Sequence, residues 1–451
     1  MAMTRRSLEN LWLKGLMIIL IGYAACGKEL AYFFFGEILI LVGCILFVRS
    51  KRFGLLLSDP TLLLWTLFAF WGICRTVPFL GKWGFNAIRD GALYGYGLIT
   101  VLVVAYVNNS NQISRALNTY RKCLKWLIPT ILVLLILTSG LGLEWPAPPW
   151  APQDRFVLIK AVDASLHLAG AALLVLLFPD RRTSSEKQGI GFFTLIEFAA
   201  WVPSVAIVFL AARAGFMAVV VPLLLVTLLR FQRVGWKTIA GGMAVLILCF
   251  GIVETNFVTF TIRGRQFSKE ELTANATSYF SHSEHSELEG TKEWRLGWWE
   301  NIIQYTVFGP YFWTGKGFGV NLAVEDGPPG MTAEETALRS PHNGNMTVLA
   351  RMGVPGAVLW IALNLSFVIR MLVAFRRASS AGLRFWSSVN LFVLCLWLAT
   401  MINQSFDVYI EGPMGGMWFW AIIGFGLAAL RVQRHEARLA RSEAARLEMA
   451  V

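Results

Sequence analysis

The chain alternates long apolar runs with short polar and basic segments. Most runs hold about 18 residues or more, which is the length of an apolar helix that crosses the hydrocarbon layer of a bilayer. The pattern therefore predicts an all-α polytopic membrane protein with about 12 transmembrane helices. The predicted spans are approximately residues 11–26, 30–48, 60–77, 91–107, 124–143, 157–178, 192–212, 214–229, 238–255, 343–369, 385–403 and 413–430.

One apolar stretch, residues 192–229, must be divided to fit a membrane. As a single helix it would be about 57 Å long, whereas the hydrocarbon layer is about 30 Å thick. Basic residues flank both of its ends, so both ends are predicted to be cytoplasmic. Two spans with a tight outer turn at "AARAG", residues 211–215, satisfy both conditions. The stretch 385–430 divides in the same way at "NQSFDVYIEGP", residues 403–413.

Basic residues between the runs predict the orientation of the chain. Lysine and arginine are enriched in cytoplasmic loops, and the predicted spans place the main basic clusters on one side, so both termini are predicted to be cytoplasmic. The predicted divisions are 1–255 with transmembrane helices 1–9, a loop 256–341 on the opposite face, 342–430 with helices 10–12, and a cytoplasmic tail 431–451.

The loop 256–341 is predicted to be mainly helical. It carries 7 Lys/Arg and 11 Asp/Glu, so it is acidic within a chain of formal net charge +12. Apolar residues at 294, 298, 302 and 305 predict an amphipathic helix, and its tryptophans Trp294, Trp298 and Trp299 predict a membrane-facing surface. The glycine spacing of "GKGFGVN", residues 315–321, predicts a turn.

Composition agrees with a membrane protein and excludes several functions. The chain is 56% hydrophobic and 15% charged, whereas soluble proteins are about 25% charged. Nucleic-acid binding requires basic residues gathered on one face; here they lie between apolar runs, which predicts membrane lipids and no nucleic acid as partners. The chain lacks a Walker A loop, and "HSEH", residues 282–285, lacks a further clear ligand set. We therefore predict neither a metal nor a cofactor.

Two arginines on the predicted outer face are candidates for binding an anion. Arg213 lies at the outer turn and is the only charged residue between Glu197 and Arg230. A charge so close to a bilayer usually faces a partner or a water-filled cavity, although an arginine can also extend to the headgroups. Arg295 lies in the predicted amphipathic helix, where a surface ion pair with Glu293 or Glu300 is the alternative.

Three further arginines are weaker candidates for contact with the same anion. Arg265 follows the ninth predicted span, and Arg155 ends the proline-rich outer segment 144–155. Arg339 lies three residues before His342.

His342 opens the tenth predicted span. It follows Ser340 and Pro341, which are predicted to be the N-cap and the first helical residue. A helix N-terminus attracts anions and disfavours imidazolium, so a histidine there is kept neutral and able to accept a proton. A purely structural histidine is the alternative, and the spacing alone leaves both open.

The order of these features resembles the O-antigen ligase and polymerase superfamily. The resemblance rests on "RAG" between two spans, "WR…WW" and a glycine turn in a large outer loop, and "HN" opening a span that continues as "LARMGVPGAVLW". It covers roughly residues 190–375. Many relatives have a bulkier residue after "HN" than the glycine of "PHNGN", so details on the acceptor side are expected to differ.

This resemblance implies an O-antigen ligase of the bacterial inner membrane with its active site facing the periplasm. Such a glycosyltransferase moves O-antigen polysaccharide from an undecaprenyl-diphosphate-linked donor to the lipid A–core acceptor and completes lipopolysaccharide. Carried over to this chain, the residues of catalytic importance are His342, Arg213 and Arg295. The expected reaction is a metal-independent inverting displacement, with His342 as general base and the arginines on the diphosphate.

Other functions share these features. An O-antigen polymerase or a protein O-oligosaccharyltransferase of the same superfamily uses the same donor with another acceptor. A membrane transporter is a less favoured alternative, because transporters often show inverted repeats and charges near the middle of the membrane. Here the conspicuous charges lie at the outer ends of the predicted spans.

Overall fold

A computed structural model describes residues 4–26, 33–137, 159–178, 195–230, 261–262, 265–266, 286–327 and 339–448. Its first helices are α1 (Arg5–Cys26), α2 (Phe35–Ser50), α3 (Gly54–Ser58), α4 (Pro60–Thr76), α5 (Leu80–Trp83), α6 (Phe85–Asp90), α7 (Ala92–Gly95), α8 (Leu98–Tyr106) and α9 (Ser110–Leu135). They are followed by α10 (Ala161–Leu177), α11 (Leu195–Ala211), α12 (Arg213–Leu229), α13 (Ser286–Thr306), α14 (Leu322–Asp326), α15 (Gly344–Ser380), α16 (Arg384–Gln404) and α17 (Pro413–Glu448).

The predicted all-α class is confirmed for the described part of the chain. Its β-structure is one pair of two-residue antiparallel strands, β1 (Thr261–Ile262) and β2 (Arg265–Gln266), with Thr261 opposite Gln266. A single 3₁₀ turn, Val77–Phe79, connects α4 to α5. The ninth predicted span, 238–255, lies outside the described residues.

Five described helices are long and apolar enough to cross a membrane, namely Arg5–Cys26, Pro60–Trp83, Gly344–Ser380, Arg384–Gln404 and Pro413–Glu443. A sixth span results if the bent pair Phe85–Gly95 and Leu98–Tyr106 is counted as one. Ala161–Leu177, Leu195–Phe209 and Arg213–Leu229 are shorter apolar helices. The chain is therefore a membrane protein by the length and composition of its helices, and the total of about 12 spans stays a prediction.

The two long apolar stretches break where the sequence predicts. Helix α11 ends at Ala211, Ala212 has extended backbone angles, and α12 begins at Arg213. Helix α16 ends at Gln404, and α17 begins at Pro413 after a turn that contains Asp407 and Glu411. Both breaks bring charged residues to helix ends. Helix α17 continues without interruption past the predicted division at 430.

Apolar packing and a few ionic contacts join the helices. Helix α10 packs on α12 and α16, and α15 packs on α4 and α16. Asp59 caps α4 and also pairs with Arg370 of α15, while a buried pair between Arg121 and Glu197 joins α9 to α11. Large apolar side chains remain exposed on the outside of the bundle, as expected for a surface in contact with lipid; they include Ile18, Leu41, Phe70 and Leu228.

The predicted amphipathic helix is present as α13, but one prediction about its tryptophans is wrong. Trp298 is fully buried and packs with Ile302 and Leu322. Its indole N–H donates to Asp326 Oδ2 at 2.6 Å. The apolar stripe of α13 faces other parts of the protein because α13 packs on α15, so Trp298 does not face the membrane.

Candidate active site

His342 lies in the turn that leads into α15. Its backbone φ of 50° is left-handed, a conformation that residues other than glycine adopt uncommonly. Helix α13 supports this turn, because the Trp299 indole N–H donates to the carbonyl oxygen of Pro341 at 2.8 Å. The Trp294 ring meets the His342 ring at 88° with centroids 6.2 Å apart. The imidazole therefore lies beside Trp294, in a turn that Trp299 holds through Pro341.

The predicted cap of this helix is wrong. Asn343, not Ser340, is the N-cap of α15, because its side chain accepts hydrogen bonds from the amides of Asn345 and Met346. An asparagine oxygen satisfies these free amide groups as well as a serine oxygen does. Pro341 consequently lies two residues before the cap, and His342 directly precedes it.

Asp407 is the immediate partner of His342. The distance from His342 Nδ1 to Asp407 Oδ1 is 3.3 Å. The same oxygen accepts the Val408 amide at 2.8 Å, and Lys160 Nζ lies 3.7 Å from Oδ2. The side chains of His342 and Asp407 are 19% and 15% exposed, so the pair is largely shielded but still reachable from solvent. The turn between α16 and α17 thus delivers a carboxylate to the histidine.

Charge and hydrogen bonds determine the protonation of this pair. Burial alone raises the pKa of Asp407, but the hydrogen bond from His342, the charge of Lys160 and the Val408 amide outweigh it and lower that pKa to about 2. Asp407 is therefore a carboxylate at neutral pH, and a neutral His342 carries its proton on Nδ1 to donate to it. This leaves the lone pair of Nε2 available to accept a proton.

Arg295 lies beside the same turn. Its Nη1 donates to the carbonyl oxygen of Phe406 at 3.3 Å, and its guanidinium carbon lies 5.6 Å from the centre of the Trp294 ring. Burial lowers the pKa of Arg295, the charge of Asp407 raises it, and the charge of Arg213 lowers it. Within the described part of the chain, the buried Arg295 Nε has no hydrogen-bond partner. An anion would satisfy this donor.

Arg213 is the first residue of α12 and is half-buried. Its charge acts on Arg295, so the helix break at Ala212 brings a second positive group within electrostatic range of the first. The N-terminus of α12 adds partial positive charge. Arg213 and Arg295 repel each other, and an anion bound between them would relieve that repulsion.

Arg339 belongs to a second ionic cluster. Its Nη2 lies 3.1 Å from Asp90 Oδ2 and 3.0 Å from the carbonyl oxygen of Gly319. Arg351, 1% exposed, also lies 3.1 Å from Asp90 Oδ2. The predicted glycine turn is confirmed here: Gly315, Gly317 and Gly319 all have positive φ. The carbonyl oxygens of Gly317 and Val320 accept from Arg351 Nη1 at 3.3 and 3.1 Å.

The other two predicted arginines remain predictions. Arg265 is part of β2 and pairs with Ile262 through its backbone, whereas Arg155 lies outside the described residues. Among the residues that the structure describes, no three His, Cys, Asp or Glu side chains are grouped as a metal site would require.

The sequence analysis missed Asp407 and Lys160 as parts of this site. Asp407 served there only to divide an apolar stretch, although an acidic residue in an outer turn on the predicted face of His342 was a usable signal. Lys160 follows the proline-rich outer segment and lies seven positions before His167, whose Nδ1 lies 3.1 Å from the Tyr120 hydroxyl. His167 is therefore part of a buried interhelical contact, and Lys160 faces Asp407.

The comparison with protein families identifies this region. The family model of O-antigen ligase matches residues 198–361. Residues 198–361 are similar to the O-antigen ligase family. The matched segment includes Arg213, Arg295 and His342, and it extends from α11 into α15.

Members of the O-antigen ligase superfamily are glycosyltransferase-like enzymes that process glycans carried on lipids, and the resemblance predicted from the sequence is confirmed. Asp407 and Lys160 lie outside the matched segment, so the candidate site combines residues of that segment with residues before and after it. No curated protein matches the chain.

Proposed function

We propose that this protein is an O-antigen ligase of the bacterial inner membrane. It transfers O-antigen polysaccharide from undecaprenyl diphosphate to the lipid A–core, with both termini in the cytoplasm and the active site facing the periplasm. The transfer inverts the anomeric carbon and requires no metal. His342 is the general base, and Arg213 and Arg295 bind the diphosphate; Arg265, Arg155 and Arg339 are weaker candidates for the same contact.

One observation carries this proposal. The pair His342–Asp407 lies next to Arg295, which is subject to the charge of Arg213, and both arginines lie with His342 in the segment that matches the O-antigen ligase family. A base beside an anion site is what a hydroxyl acceptor and a diphosphate leaving group require.

The reaction follows from these positions. Nε2 of His342 accepts the proton of the acceptor hydroxyl while that oxygen forms a bond to the anomeric carbon. The bond from this carbon to the diphosphate oxygen breaks on the opposite side, which inverts the configuration. The negative charge that develops on the leaving diphosphate is stabilised by Arg295 and Arg213. Asp407 stabilises the imidazolium that forms.

The acceptor distinguishes this function from its relatives, because a polymerase and a protein O-oligosaccharyltransferase would use the same donor site. Purified protein with a lipid-linked glycan donor is offered lipid A–core, a second lipid-linked glycan and a hydroxyl-bearing protein in competition. We expect glycan on lipid A–core, unchanged by EDTA. Glycan on either other acceptor would contradict the ligase assignment. Loss of transfer in EDTA would contradict the metal-free reaction.

Replacing Asp407 by asparagine tests the role of the carboxylate. A hydrogen bond to a charged group contributes about 1.5–3 kcal/mol, so we expect kcat to fall about 10- to 100-fold. The loss should be similar at neutral and mildly acidic pH, because Asp407, with its pKa held at about 2, stays a carboxylate throughout that range.

The control for this variant is Glu325→Gln, which neutralises an exposed carboxylate of α14. It should leave kcat unchanged. An Asp407→Asn enzyme with wild-type kcat would remove Asp407 from the mechanism.

A further inference from the structure

A groove lies between the C-terminal parts of α15 and α17, in contact with none of the active-site residues above. It is a cavity of about 600 Å³. Ile369, Val373 and Leu383 form apolar parts of its lining and are 57%, 40% and 45% exposed. Five arginines line its other walls: Arg370, Arg377, Arg434, Arg438 and Arg441.

Most of these positive charges are not neutralised. Arg370 is held by Asp59, with 2.5 Å from each terminal nitrogen to a carboxylate oxygen. The remaining four have no ion pair or hydrogen bond with an acidic side chain in the residues that the structure describes. Arg434 is within electrostatic range of Arg370, Arg377 and Arg438, and also of Asp59, the carboxylate that pairs with Arg370. Like charges held this close favour a bound anion between them.

The groove lies at the opposite end of the bundle from His342. Helix α15 begins beside His342, bends at Gly353, where φ is 66°, and then runs from Val354 to Arg377 over 23 residues, about 35 Å at 1.5 Å per residue. This distance exceeds the hydrocarbon thickness of about 30 Å. The arginines are therefore at the headgroup level of one leaflet when His342 is at the surface of the other.

We propose that this groove is a binding site for an anionic glycerophospholipid. The lipid phosphate lies between Arg377 on α15 and Arg438 on α17, where arginine makes paired hydrogen bonds to phosphate oxygens. Its acyl chains follow Ile369 and Val373 away from the arginines. Basic residues beside an apolar wall at a membrane surface are the chemistry that recognises acidic headgroups. A free phosphate would use the arginines but not the apolar wall.

Binding of a defined lipid tests this site. Full-length protein in detergent is titrated with phosphatidylglycerol or phosphatidylcholine, and bound lipid is counted by native mass spectrometry. We expect wild type to prefer phosphatidylglycerol, and Arg377→Gln/Arg438→Gln to weaken that binding roughly tenfold or more. Arg377→Lys/Arg438→Lys should retain most of it, because the positive charges remain.

A matched control keeps the change in net charge equal. Arg376 and Arg446 are exposed residues of the same two helices and do not line the groove. Arg376→Gln/Arg446→Gln should bind phosphatidylglycerol like wild type. The proposed site would be disproved if both glutamine double variants lost phosphatidylglycerol binding equally. It would also be disproved if wild type bound phosphatidylglycerol and phosphatidylcholine equally. Displacement of the lipid by excess inorganic phosphate would overturn its assignment to a lipid.

Lipid binding at this groove does not depend on glycan transfer. Because the experiment measures bound lipid, its result is independent of whether the protein catalyses the proposed ligase reaction. Thermal unfolding of each variant in detergent identifies a loss of binding that comes from unfolding.

Discussion

Replacing His342 by alanine is expected to reduce glycan transfer by about 10²–10⁴-fold, the usual contribution of a general base. The side chain is held by Asp407 and by Trp294, and because it is 19% exposed, the space left by its removal is open to solvent. Donor binding and thermal unfolding should therefore change little. The measurement is the initial rate of lipid A–core glycosylation by the purified variant.

The matched control is His435→Ala, on the exposed part of α17, which should transfer at the wild-type rate. Added imidazole provides a second test, because a small base can enter the space left by the missing ring and restore part of the rate. Normal transfer by His342→Ala would disprove the general-base role. If His342→Ala loses transfer because the variant unfolds, His342 has only a structural role.

Replacing Arg295 by glutamine is expected to lower kcat by about 10²–10³-fold, as is typical when one group that stabilises transition-state charge is removed. Glutamine keeps much of the packing against Trp294 but loses the charge opposite the leaving diphosphate. Because the positive charge of Arg213 disfavours the charged form of Arg295, the folded protein should not lose stability when that charge is removed. The rate of transfer and the affinity for the lipid-linked donor are measured together.

Arg295→Lys should recover only part of the activity, because an ammonium group cannot make the paired contacts of a guanidinium. Lys82→Gln removes a positive charge from exposed α5 and should leave the rate unchanged. An Arg295→Gln enzyme with wild-type kcat would remove Arg295 from the diphosphate site. A drop in rate together with a lower unfolding temperature would assign it a structural role instead.

Local patterns predicted the helices well. The apolar runs correspond to helices wherever the structure describes them, and the breaks at Ala212 and at 405–412 fall where span length requires them. Hydrophobic length and backbone hydrogen bonding act within a short segment, so they are visible in the sequence. Arg213 lies at such a break and Arg295 lies in an amphipathic helix, so the positions of both are visible in the sequence for the same reason.

Two predictions that depended on which residues lie close in space are wrong: the N-cap of α15 and the surroundings of Trp298. Ser340, Pro341 and Asn343 each fit a helix start, and only the path of the turn decides that Asn343 is the cap. The predicted apolar stripe of α13 is present, but an apolar stripe can pack either against lipid or against other parts of the protein. Trp298 is buried because Leu322 and Ala350 pack against it.

By itself the sequence determined the all-α class and the breaks between helices, and it predicted the residue types of a candidate anion site with a histidine nearby. The tertiary structure alone decided which residues meet. Asp407 reaches His342 across 65 positions, and Phe406 reaches Arg295 across 111. Both contacts depend on how the turn after α16 meets α13 and the start of α15. Side-chain packing among distant helices determines such pairings, and no local pattern records them.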